Sequence, residues 1–162
     1  MRADTSPHFF EWLESTPLAS GIRQSLWAYP VLEITHIVGI VMLVGGAFLI
    51  DLHLLGFSRN LPFPALSRYL LAWSAKGLLL IIPSGILLFM TNAASLASDP
   101  TFRLKLALLG IAGLNAWVFH KLISRRIEST IQPNLPSAAK ISAFFSVIVW
   151  LAIIACGRLL AY

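Results

Sequence analysis

Arg103–Lys121 reads RLKLALLGIAGLNAWVFHK, an apolar run of membrane-spanning length with a lysine near its start and a histidine near its end. Lys105 and His120 are 15 residues apart. On a helix that is about 22 Å of rise and about 60° of rotation, so both lie on broadly one face. An earlier apolar run repeats the arrangement: His36 and Asp51 are also 15 residues apart. If the two runs cross a membrane as the first and third of four helices, they point the same way. His36 and Lys105 then share one depth, and Asp51 and His120 share another. Polar groups at two matched levels are not what core filling alone requires.

Outward from these runs, the chain has four apolar stretches, Val31–Ile50, Tyr69–Met90, Leu104–Ile123 and Ile141–Cys156. Of the 162 residues 57% are hydrophobic and 12% charged, and the mean hydropathy is +0.80. That is too apolar for a soluble domain of this size and fits an all-α integral membrane protein. The expected fold is a single four-helix transmembrane bundle over residues 1–162, with spans near 31–55, 69–91, 103–123 and 141–160. The single Cys156 excludes an internal disulfide and a cysteine metal cluster. Its expected role is that of a small apolar helix residue.

The net charge of +5 does not point to nucleic acid, because the basic residues sort by membrane side. Arg2, Arg23, Arg103 and Arg158 fall at one side, whereas Arg59, Arg68, Lys121, Arg125, Arg126 and Lys140 fall at the other. The positive-inside rule puts the 57–68 and 124–140 connections in the cytoplasm and both termini in the periplasm of a bacterial inner membrane. The first thirty residues lack a basic start followed by an apolar core, so no cleaved leader is expected.

Residues 6–29 mix aromatic, apolar and acidic residues and read as short amphipathic helices on the outer membrane surface. Ser6-Pro7 and Thr16-Pro17 each carry the signature of a helix start. In the first span, Glu33, His36, Ile40, Leu43, Ala47, Ile50, Asp51 and Leu54 share one face, which is expected to line the bundle interior. Gly39, Gly45 and Gly46 allow a close neighbour. His53 is rotated by about 200° from Asp51 and reads as an interfacial residue facing elsewhere. The second span holds Lys76, read as snorkelling to the cytoplasmic side or pairing with Asp51, and Pro83, which kinks the helix. Ala94–Pro100 reads as a polar loop. In the third span Ala112 and Ala116 leave space between the two polar levels, and Asn115 lies on the flank.

Histidines between membrane helices are the usual axial ligands of b-type haem. A deprotonated lysine can also serve as a ligand, and a boundary arginine suits a propionate. The resulting expectation is a haem-b electron-transfer protein that exchanges electrons with a quinone or a periplasmic redox partner. His36 ligates an outer haem iron, Lys105 is its companion and Arg158 faces a propionate. His120, as a second iron ligand, and Asp51 form an inner haem or proton-handling site. The alternative to any cofactor is a structural or assembly subunit, in which the same groups hold helices together by hydrogen bonds.

The pieces Trp12–Ser25 (WLESTPLASGIRQS), Glu33-Ile-Thr-His36, Asp51-Leu-His-Leu-Leu-Gly56, Phe102-Arg-Leu-Lys105, Gly113-Leu-Asn115, Phe119-His120, Gly157-Arg158 and Ala161-Tyr162 together resemble a family of small bacterial four-span membrane proteins of unknown function. The resemblance covers nearly the whole chain and implies the topology but no activity. It also implies that the position of His53 is commonly an arginine. More distantly, the His36/Lys105 pattern is similar to that of the four-helix membrane protoporphyrinogen oxidases and of CopD-type copper-resistance membrane proteins. That similarity implies His36 and Lys105 as a haem or tetrapyrrole pair, and a tetrapyrrole oxidase as the enzyme alternative.

Overall fold

The computed structural model describes residues 6–57, 63–124 and 137–160 of the chain. Helices α1 (Ser6–Ser15) and α2 (Pro17–Gln24) precede the first long helix, α3 (Ala28–Leu55). Then come α4 (Phe63–Thr91), the short α5 (Ala93–Ser98), α6 (Pro100–Val118), a π-helical turn over Phe119–Ser124 that continues α6, and α7 (Ser137–Leu159). Four of these, α3, α4, α6 with its continuation, and α7, are long and apolar enough to cross a membrane. The chain is thus a multi-pass, all-α four-helix bundle whose outer surface is apolar and suited to lipid.

Local chemistry sets the ends of these helices. The Thr16 hydroxyl accepts from the Ala19 backbone N–H, with Pro17 at the first helical position. Asp99 caps α6 in the same way, accepting from the N–H groups of Thr101 and Phe102 ahead of Pro100. The α3 helix stops at Gly56, whose φ of 102° is open to glycine at little cost. There Gly56 N–H donates to His53 O and Phe57 N–H to Leu52 O, which satisfies the last free carbonyls.

Each long helix begins three to six residues before its expected span, and one expected loop is helical. Helix α4 starts at Phe63, six residues before the expected span, because Pro64 sits in the first turn where its missing N–H costs nothing. Much of the expected polar loop Ala94–Pro100 is the helix α5. The basic residues Arg2, Arg59, Arg125 and Arg126 lie outside the described residues.

Helix α3 is the hub. It packs along α4 on one side and α7 on another, whereas α6 packs against α7. The α3/α4 contact is the tightest. A Cβ on Gly39 would stand 2.8 Å from Ile81 Cγ1 and 3.0 Å from Gly77 O, and one on Gly77 would stand 2.8 Å from Gly39 O. Gly46 faces Ser74 as closely, while Gly45 has nothing within 4 Å. Gly39 and Gly46 therefore bring the backbones together as the sequence suggests, and Gly45 takes no part. Helices α4 and α6 do not pack along one another, which leaves the bundle open on that side.

At the end where α3 begins and α4 finishes, α1 and α2 fold over the bundle. Arg23 donates to Thr91 O and Glu14 O at 3.0 and 2.8 Å, and the Glu14 carboxylate accepts from Ala94 N–H at 2.8 Å. The amphipathic segment is thus fastened to the ends of α1, α4 and α5. It leaves Phe9, Trp12, Leu26 and Trp27 exposed, as an interfacial segment requires.

Candidate functional site

The outer level starts from His36, half-buried on α3. Its Nδ1 lies 3.0 Å from Ser84 Oγ on α4. The Ser84 hydroxyl already donates to Leu80 O, one turn back in its own helix. With that proton on Leu80 O, the hydroxyl would accept from Nδ1. The ring also makes a hydrogen bond with the Ile81 backbone. Histidines that bind metals are commonly oriented by a hydrogen bond on the nitrogen away from the metal. The ring also rests on a glycine, since a Cβ on Gly85 would come 3.0 Å from His36 Cε1.

The amine of Lys105, on α6, acts electrostatically on this ring. It too lies over a glycine, with Nζ 3.9 Å from where a Cβ on Gly157 would stand. His36 and Lys105 are therefore brought to one level as the sequence suggests, each above a glycine of a neighbouring helix. Arg158 follows Gly157 at the same end and is exposed. Glu33 is exposed in α3's first turns and is not part of the interior stripe.

The inner level is a cavity of about 150 Å³ to which all four long helices contribute. From the α3 stripe, Leu43, Ala47, Ile50, Asp51 and Leu54 line it, and from α6, Ala112, Ala116 and His120 do so. The space expected beside Ala112 and Ala116 is this cavity. Its polar groups are mostly spent on one another or on backbone carbonyls. Ser142 Oγ donates to Asn115 Oδ1 at 3.0 Å, and Asn115 Nδ2 donates back to Ser142 O. Ser67 and Ser74 donate to Pro64 O and Leu43 O. Asp51 is 7% exposed and faces the Ser146 hydroxyl, and its Oδ2 has no partner. His120 stands in the π-helical turn, lining the cavity with one side and exposed on the other. Asp51 and His120 therefore share a wall.

One buried residue departs from the sequence reading, and one open alternative narrows. His53 does not face outward: it is 5% exposed and stacks on Phe63, with centroids 5.7 Å apart and Nδ1 unpartnered. A helix wheel gives its angle from Asp51, but α3 is packed on two sides, so both directions are interior. Lys76 is exposed, with its amine 5.3 Å from the Trp73 ring centroid, and does not pair with Asp51. Ser84 and Ser146 are the partners that the sequence reading did not single out. A serine beside Pro83 was visible, but its pairing with His36 depends on the register between two helices 48 residues apart.

Among the described residues, no three His, Cys, Asp or Glu side chains gather as a metal-ion site. Neither level therefore resembles a metal centre made of protein ligands alone. Compared with protein-family models, curated proteins and solved structures, the chain matches none of them.

Proposed function

We propose that this protein is a haem-b-binding electron-transfer protein of the bacterial inner membrane, with both termini periplasmic and the haem held at the outer level. The observation that carries the reading is the placing of His36, a half-buried histidine between α3 and α4 whose Nδ1 lies 3.0 Å from Ser84 Oγ, a contact that would orient the ring for iron. Gly85 supports it by making room for the imidazole, which a side chain at that position would displace. Lys105 would be the second ligand or a counter-charge, and Arg158, at the membrane boundary, would meet a propionate. When bound, haem supplies a one-electron couple inside the bilayer.

The chain's own contribution is positional. Ser84 holds the imidazole plane, α4 and α7 offer small residues, and α1 and α2 cover the outer end of α3 and α4. A quinone in the bilayer or a periplasmic redox protein would be the electron partner. The inner level is left out of this proposal. Its cavity of about 150 Å³ is well below the roughly 300–1,000 Å³ of pockets that hold cofactors.

The test is an absorption spectrum of the detergent-purified protein, expressed with ample haem supply, oxidised and then reduced with dithionite. The expected result is a b-type spectrum with a single haem per chain, lost in His36→Ala. A colourless protein, or full haem content in His36→Ala, would overturn the reading and leave the outer level as helix packing.

A further inference from the structure

We propose that the inner cavity is a binding site for a small, lipid-soluble aromatic ring carrying a hydroxyl, of the phenol or quinol-head-group class, which enters from the bilayer between α4 and α6. The site is separate from the outer level and does not depend on a haem there.

Three observations converge on this class. The first is size and wall chemistry. The cavity measures about 150 Å³ and is walled largely by Leu43, Ala47, Ile50, Leu71, Ala116 and Trp150. An apolar cavity of that order accepts a benzene-sized ring, and the walls offer such a ring more than they offer a cluster of waters. The second is the one buried group left over. Ser67, Ser74, Ser142 and Asn115 donate within the protein, whereas Asp51 lines the space and its buried Oδ2 has no partner. A buried carboxyl short of hydrogen bonds is costly, and a ring hydroxyl in the cavity would donate to it. The third is the path. Helices α4 and α6 both line the cavity but do not pack along each other, so the opening faces the hydrocarbon, where such molecules partition.

The arrangement matches the general form of a small-molecule site, mostly apolar with few polar groups that fix orientation. Asp51 fixes the ring hydroxyl, the α3 and α6 alanines flank the ring, and His120 stands at the exposed edge of the wall.

The experiment is fluorine NMR of the full-length purified protein in micelles, titrated with 4-fluorophenol and separately with fluorobenzene, with empty micelles as the background. Binding of 4-fluorophenol should saturate and be about tenfold tighter than that of fluorobenzene, in keeping with one buried hydrogen bond. Ala116→Leu, which fills the space, should remove saturable binding of both. Asp51→Leu should remove the preference for the hydroxyl. Circular dichroism establishes which variants fold, and either one alone decides the outcome. No saturable binding by the wild type, equal affinity for the two probes, or binding that survives Ala116→Leu would overturn the proposal and leave a cavity for ordered water only. The readout needs no haem, so this result and the spectrum of the outer level fail independently.

Discussion

The outer and inner levels sit on the same two helices at the same 15-residue spacing, yet the fold treats them oppositely. At the outer level the polar groups are connected in series: His36 bonds to Ser84, and Ser84 donates to Leu80 O. The His36 ring and the Lys105 amine there each lie against a glycine. At the inner level the wall's hydroxyls and amide are spent, and Asp51, a wall residue, keeps one buried carboxyl oxygen without a partner. The first is an oriented ring with small residues beside it; the second is a carboxyl short of hydrogen bonds in the wall of a cavity. Spacing along one helix sets depth, but the partner helices decide what each depth can hold. Here α4 supplies Ser84 to one level, and α7 supplies Ser146 to the other.

The largest effect should come from separating the two levels by substitution. His36→Ala is expected to reduce bound haem at least tenfold, and Ser84→Ala by about tenfold in affinity, because orienting partners of metal-bound histidines contribute about 10–100-fold. Asp51→Asn should leave haem content unchanged. Pyridine haemochrome assays of the three purified variants measure this. If Asp51→Asn loses haem as His36→Ala does, the levels form one site and the contrast between them is wrong.

Next in size is the α3/α4 seam that both levels share. Gly77→Ala would bring a Cβ to 2.8 Å from Gly39 O and Leu43 N, both backbone atoms that cannot step aside. Overpacking of this kind costs about 1–3 kcal/mol, and a splayed seam would move Ser84 from His36 and widen the inner cavity. Gly45→Ala meets nothing within 4 Å and should leave thermal unfolding near the wild type or slightly raise it, since alanine favours helix by up to about 1 kcal/mol. Equal loss of stability in the two variants would mean that the close approach of α3 and α4 does not hold the levels in place.

The parts of this fold legible in the sequence are those set by local pattern. Apolar run length marked the four spans, and Thr16-Pro17 marked the start of α2. The α3 stripe of Leu43, Ala47, Ile50, Asp51 and Leu54 does line the interior, and Ala112 with Ala116 do border a cavity. What was not legible depends on neighbours distant in the chain. His53 lies off the Asp51 face by its angle, but α3 is flanked by α4 and α7, and a helix between two partners buries more than one stripe. Ser84 gains its meaning only once α4 runs back along α3 in the right register. Glu33 matches the stripe by periodicity yet is exposed, because it lies in the first turns of α3, before the close α3/α4 contacts at Gly39 and Gly46. Asp99-Pro100 carries the same capping chemistry as Thr16-Pro17 and starts α6 three residues before the expected span.

The smallest expected effect concerns the outer level alone and asks whether its cover matters. Arg23 bridges Thr91 O at the end of α4 and Glu14 O at the end of α1, and the Glu14 carboxylate receives Ala94 N–H. A cationic side chain on terminal carbonyls also meets the negative end of the helix dipole. Arg23 is exposed, so water replaces much of what Arg23→Gln removes, and the expected loss is about 1 kcal/mol or less. For a chain of this length that is a fall of about 2–4 °C in the unfolding midpoint. The informative reading is comparative. Limited proteolysis within residues 6–29 should accelerate in Arg23→Gln, while 4-fluorophenol binding at the inner cavity should not change, because the bridge lies at the opposite end of α4 from Ser67 and Ser74. A change at both ends would show that the cover braces the whole bundle, whereas a change confined to the outer end would make α1 and α2 a local lid over His36 and Lys105.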